Sequence, residues 1–430
     1  MKMRYLATVF AIGLSGPALT FADTATIDQY GPGNTAQIDQ LSNASASAWI
    51  RQDSTGHSEG NDSKVRQENN AGTVDARSEQ TGAKNVNMVT QLNHAPGVIA
   101  HVFNQQSGAQ NTASMLQQDN TGDVWVSYSQ KGNGNAAEFS QIDNRGNASA
   151  NGGQYGDNNH STIQQSGNGF AYALALQGDE SNFKYAIGNA ALITQTFNQT
   201  AWAFTRQLGT LNDISITQQS NADVTAIVNQ GASSGPEANS NRALILQNQN
   251  LVTTAIVNQG GTGNIAGILQ EQNSNTSAEI RQGESSWMLS SANNAQILQT
   301  YNLNTIARVT QNGEVNQATI TQSYNADNTI AEVVQGGGYF DRDSGQWVEL
   351  GSGSQNQASI GQSNSHNVDA RITQEGSLNT ASVLQMGSDL VARIAQSGSS
   401  NQAAIDQLGI GFQARVTQNG MANVANVYQR

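Results

Sequence analysis

Toward the C-terminal end, Gln374, Gln385, Gln396, Gln407, Gln418 and Gln429 stand eleven residues apart. A spacing this strict is an internal repeat, and a repeat so short cannot bury a core of its own; it must stack on its neighbours. Each Gln closes a block such as 401–407, where Asn401, Ala403, Ile405 and Gln407 occupy every second position. Period two is the signature of a strand. The closing residue can be followed backwards through Gln362, Gln335, Gln322, Gln311, Gln299, Gln282, Gln270, Gln259, Gln247, Gln230, Gln218, Gln207 and Gln195, and again at Gln52, Gln40 and Gln29. Upstream of Gln177 the spacing is less even.

Short segments rich in Gly, Ser and Asn, such as 386–389 and 397–400, separate the blocks and supply residues suited to tight turns of positive φ. The expected fold is all-β: a β-solenoid of stacked two-strand rungs, strand-turn-strand-turn, about 22 residues per rung and amyloid-like in its cross-β stacking. Counting closing glutamines gives about sixteen rungs. At about 4.8 Å per rung, each side chain lies over its equivalent in the next. Ala, Ile and Val then fill a thin interior. Inward amides that share it must bond to their copies above and below, because an unpaired one costs about 1–3 kcal/mol. The predicted ladder comprises Asn34, Gln40, Asn135, Gln141, Gln195, Gln207, Gln218, Asn264, Gln270, Gln322, Asn356, Gln362, Gln374, Asn379, Gln385, Gln396, Asn401, Gln407, Gln418, Asn423 and Gln429. A 52-residue period (Gln195, Gln247, Gln299) overlies the shorter one, which predicts extended turns near 178–189, 231–241 and 283–293; a larger one spans 336–354.

Composition narrows the function. Charged residues are 12% of the chain and the net charge is −13, which disfavours general binding to nucleic acid. There is no cysteine, so stability must come from the repeats. Residues 1–22 read as a secretory signal peptide: Lys2 and Arg4 precede an apolar run, and Thr20, Phe21 and Ala22 end in a small-residue cleavage pattern. Cleavage would leave residues 23–430 as one repeat region with no membrane span. The strand pattern begins by Thr26 and the last block is followed by Arg430. So little sequence remains for capping rungs, and stacking end to end into a fibre is the expected outcome.

The blocks at 31–40 (GPGNTAQIDQ), 132–141 (GNGNAAEFSQ) and 261–270 (GTGNIAGILQ) resemble the curlin repeat, Gly-x-Gly-Asn-x-Ala-x-x-x-Gln. The resemblance covers about residues 24–430. It implies a secreted subunit of curli, the extracellular functional amyloid of bacterial biofilms, with a nucleator curlin and an outer-membrane secretion pore as partners. Two departures stand out. No Gly-rich sorting segment separates the leader from the first repeat, and the repeats outnumber those of the usual major subunit. The alternatives are a nucleator curlin, or a discrete secreted adhesin that binds glycans through its projecting loops.

Other signals carry less. Arg371, Arg393 and Arg415 lie 22 apart, each between an inward Ala and an inward Ile or Val. They should form an outward ladder of like charges and act as gatekeepers that slow assembly. His57, His94, His101, His160 and His366 share no ligand spacing and are expected on solvated turns or faces. Asp341, Asp343 and Gly345 match part of a calcium loop but lack its later acidic ligand. The five tryptophans do not form one ladder. Carboxylates are scattered, which argues against an enzyme, and no cofactor is implied.

Overall fold

The computed structural model describes residues 23–179, 185–231, 238–283, 290–341, 346–351 and 353–430. It is all-β, with no helix among these residues. The chain divides into two compact units between Thr205 and Arg206, and the described residues of each form a β-solenoid. Residues 1–22, read in the sequence as a signal peptide, and the middles of the predicted extended turns lie outside the described residues.

A rung consists of one strand in each of two parallel sheets. In the first unit, Ser45–Asp53 of the first sheet is followed by Asp62–Glu68 of the second. The next rung places Thr73–Ala83 directly above Ser45–Asp53 in parallel register, with Gln80 over Gln52. Inward positions alternate with outward ones along each strand, which is what a two-residue period dictates. In the second unit the last three rungs pair Asp369–Ser377 with Thr380–Ser388, Val391–Ser399 with Gln402–Ile410, and Gln413–Met421 with Val424–Gln429.

The 22-residue repeat holds only in these last rungs, where Gln374 meets Gln396 and Gln396 meets Gln418. Elsewhere the turns are longer. Along the second sheet of the second unit the offsets run 29, 23, 29 and 23, which is the origin of the 52-residue period. Within 336–354, Gly337–Asp341 pairs antiparallel with Gln346–Leu350 outside the parallel sheets, and Gly353–Ser354 lies back in the first sheet.

The interiors of the two units differ. In the second, a column of Val228, Val257, Ile280, Val309, Val333, Ile372, Ile394 and Val416 runs opposite a column of alanines from Ala243 to Ala403. At the equivalent positions of the first unit stand Ile50, Ser78, Asn104, Tyr128, Gly152 and Ala175, opposite Ser63, Asn87, Ala113, Ala137 and Ser161. Four of the polar members bond to one another: Ser63 to Ser78 at 3.0 Å, Asn87 to Ser78 at 2.7 Å, and Asn104 to Asn87 at 2.8 Å. Tyr128 is fully buried against Phe139. It fits because the next rung has Gly152, where a Cβ would lie 2.6 Å from the Tyr128 ring.

Candidate functional site: the amide ladders and outer columns

Two glutamine ladders run through each unit. In the first unit Gln29, Gln52, Gln80, Gln106, Gln130, Gln154 and Gln177 are joined by Nε2-to-Oε1 bonds of 2.8–2.9 Å. Gln40, Gln67, Gln91, Gln117, Gln141, Gln165 and Gln195 form the second ladder. In the second unit one ladder passes from Gln207 through Gln374 and Gln396 to Gln418, and the other from Gln218 through Gln270, Gln322, Gln362, Gln385 and Gln407 to Gln429. Every predicted Gln therefore takes its ladder position. The second amide proton crosses the rung: Gln52 Nε2 also donates to the Thr35 carbonyl at 2.9 Å, and Gln67 Nε2 to that of Ser47 at 3.0 Å. Carboxamides bonded in this way tie a rung to its neighbour and one sheet to the other.

The predicted asparagines form a separate column in the turns, including Asn34 and Asn135 in the first unit and Asn264, Asn356, Asn379, Asn401 and Asn423 in the second. Here the side-chain oxygen accepts the backbone N–H of the next Asn, as in Asn401 N to Asn379 Oδ1 at 3.1 Å. Asn61, Asn159 and Asn293 repeat this on Asn34, Asn135 and Asn264, and Asn379 and Asn423 on Asn356 and Asn401. The direction is opposite to that of glutamine. Gln side chains donate toward the C-terminal neighbour, whereas Asn61, Asn85 and Asn111 donate Nδ2 back to the N-terminal Asn as well as forward to the carbonyls of Gly82, Gly108 and Gly132, and it is Oδ1 that turns toward the C-terminal rung.

A second asparagine column escaped the sequence reading. Asn43, Asn70, Asn120, Asn144 and Asn168 belong to it in the first unit, and Asn221, Asn250, Asn273, Asn302 and Asn325 in the second. Its signal is Asn three residues after a ladder Gln, as in Gln141 and Asn144 or Gln270 and Asn273. Ladder asparagines are commonly preceded by a residue of positive φ. That residue is not always Gly, Ser or Asn: Leu211, Tyr301, Val315, Tyr324 and Leu378 all adopt it. Bonding on both sides of the turn sustains a conformation these side chains would not choose.

His94 replaces asparagine in this second column. It does not sit on a solvated face as expected; it is 1% exposed. Its backbone keeps the column, with His94 N donating to Asn70 Oδ1 at 3.1 Å. Both ring nitrogens are buried without a hydrogen bond. Burial pushes the imidazole down to about 4, against the opposing pull of Asp119. His57 is exposed. His101 and His366 lie beside Asp75 and Asp327, and His160 beside Thr162.

The arginines need a correction. Arg371, Arg393 and Arg415 do stack in register. They are not a solvated run of like charge, because the column continues through Glu332, Arg308 and Glu279. Arg371 Nε donates to Glu332 at 2.9 Å, with the Arg371 side chain only 5% exposed. Arg393 bonds the Asp369 carboxylate at 2.6 Å. Arg415 alone of the three is exposed. The Glu332 partner was invisible in sequence because the inserted hairpin separates it from Arg371 by 39 residues.

Among the described residues, no three His, Cys, Asp or Glu side chains are grouped to hold a metal ion. The partial calcium-loop pattern falls largely outside them, since residues 342–345 are not among those described. No helix among the described residues is long and apolar enough to cross a membrane. No protein-family model matches the chain, and no curated protein matches it in sequence.

Proposed function

We propose that this chain is a structural subunit of a curli-type extracellular fibre, exported by its leader and joined end to end by rung stacking to build biofilm matrix and adhere to surfaces. The supporting observation is the in-register amide ladder. At Thr24–Tyr30 and at Val424–Gln429 the inward side chains, Ala25, Ile27 and Gln29 or Ala425, Val427 and Gln429, are half-buried, whereas their equivalents inside each unit are fully buried. A further rung placed on either would bury the apolar atoms at about 25 cal/mol per Å² and extend the amide chains. The carboxamide polarity makes the two surfaces complementary: Gln29 and Gln40 present acceptors, Gln418 and Gln429 donors. The chemistry is hydrogen bonding and not turnover, and the partners are further copies, a nucleator curlin and an outer-membrane secretion pore.

The test is to incubate residues 23–430 at neutral pH, following thioflavin fluorescence and fibre diffraction. Self-seeding growth with reflections near 4.8 and about 10 Å is expected. A lasting β-rich monomer would overturn the fibre reading and favour the discrete adhesin. Acceleration of another curlin at substoichiometric amounts, without growth of its own, would assign the nucleator role instead.

A further inference from the structure

The outer face of the first sheet in the first unit carries a second, unrelated feature. One outward column reads Asp75, His101, Trp125, Ser149 and Tyr172 in register, and Tyr172 packs against Trp202 with ring centroids 5.1 Å apart. Trp125 packs edge-on against His101 at 4.9 Å. Trp125 is 46% exposed and Trp202 54%. Between these aromatic pairs the side chains become small and polar. Ser127 and Ser129 stand beside Trp125 on its own strand, and the next rung presents Ser149, Asn151 and Gly153. The result is a shallow trough with a floor of hydroxyl and amide groups and an aromatic wall on each side.

We propose that this trough binds a neutral polysaccharide. Trp125 and Tyr172 stand two strand spacings apart, about 9.6 Å. A puckered sugar ring centred over Ser149 would lie about 4.8 Å from each wall's strand position, close to van der Waals separation once its puckering is counted. Its C–H faces suit the aromatic walls, and its hydroxyls match the floor, whose Ser149 Oγ already accepts from Asn151 Nδ2 at 2.7 Å. Charge selects against other flat ligands. The nearby Asp75 is paired with His101 and Arg77 with Glu79, so the trough offers no cluster of cations. A nucleic acid could stack its bases here, but its phosphates would meet a chain of net charge −13. This site is on the sheet face, not on the projecting loops, and is independent of whether the chain forms fibres.

The experiment is fluorescence anisotropy of labelled cellohexaose and maltohexaose titrated with the full chain, with labelled heparin oligosaccharide as the anionic comparison. Saturable binding of at least one neutral glucan is expected, with at least tenfold loss in Trp125→Ala and in Tyr172→Ala. Trp125→Phe should stay within about threefold of the parent, which separates loss of the wall from loss of fold, and Tyr301→Ala in the other unit should change nothing. Failure of both glucans to bind, undiminished binding in both alanine variants, or equal binding of heparin would each overturn the proposal.

Discussion

The first unit fills its central columns with a different residue on almost every rung, while the second repeats Val or Ile opposite Ala. Tyr128 fits only over Gly152, and Asn87 must reach both Ser78 and Asn104. A strand shifted by one rung in the first unit would set Tyr128 against Ala175, whose Cβ takes the space that Gly152 leaves open. In the last rungs of the second unit the same shift replaces Ile372 by Ile394, Gln374 by Gln396 and Gly376 by Gly398. Nothing in those columns distinguishes one rung from the next. One unit therefore specifies its own register through shape and buried polarity, and the other is suited to accepting further rungs like itself.

The largest effect should be common to both units, and a difference there would break the comparison. Gln130→Leu and Gln396→Leu each remove a carboxamide bonded to the rung below, the rung above and the opposite sheet. Each leaves buried amide groups unpaired and should cost about 4 kcal/mol. Hydrogen exchange of the flanking strands would read it, and equal losses are expected. Next come the arginines. Arg371→Gln strands a buried Glu332 and should cost about 3 kcal/mol, whereas Arg415→Gln should leave stability within about 0.5 kcal/mol and shorten the assembly lag at low salt. An unchanged lag would remove the gatekeeper role from its remaining candidate.

The third effect belongs to the first unit alone. His94 is depressed to about 4 from an ordinary value of 6.5, so the folded state favours the neutral ring. That stability is complete above pH 6.5 and is lost as pH falls toward 4, by about 3 kcal/mol. Chemical denaturation at pH 7 and pH 4 should show this loss in the parent and its near absence in His94→Asn, which restores the column. The smallest effect is a gain. Val315 is a β-branched residue held at φ 56° in the turn column, and Val315→Gly should stabilise the second unit by about 1 kcal/mol in a thermal melt.

How much of this was legible follows from the same contrast. Where turns are short, as from Gln374 onward, the eleven-residue count exposed every ladder glutamine. Upstream, doublets such as Gln105 with Gln106 and Gln117 with Gln118 hide which amide faces inward, and turns of varying length break the count. The arginine register was readable because it shares the 22-residue spacing; Glu332 was not, since an insertion intervenes. His94 could be recognised only once its column was known, because nothing local marks it as a substitute for asparagine. The polar interior of the first unit was missed for a different reason. Ser78 and Asn104 look like outward residues until Ser63 and Asn87 are seen across from them.

The opposed directions of the two amide chains have an electrical consequence. A carboxamide carries a dipole much like that of the peptide group, and a row of them pointing one way would build up charge of opposite sign at its ends, as aligned peptides do in a helix. Here the glutamine carbonyls point toward the N-terminal rungs and the asparagine carbonyls toward the C-terminal ones. The two sets of carbonyls oppose each other within each rung, so on the proposed fibre reading added rungs would build up less charge separation than dipoles all aligned one way.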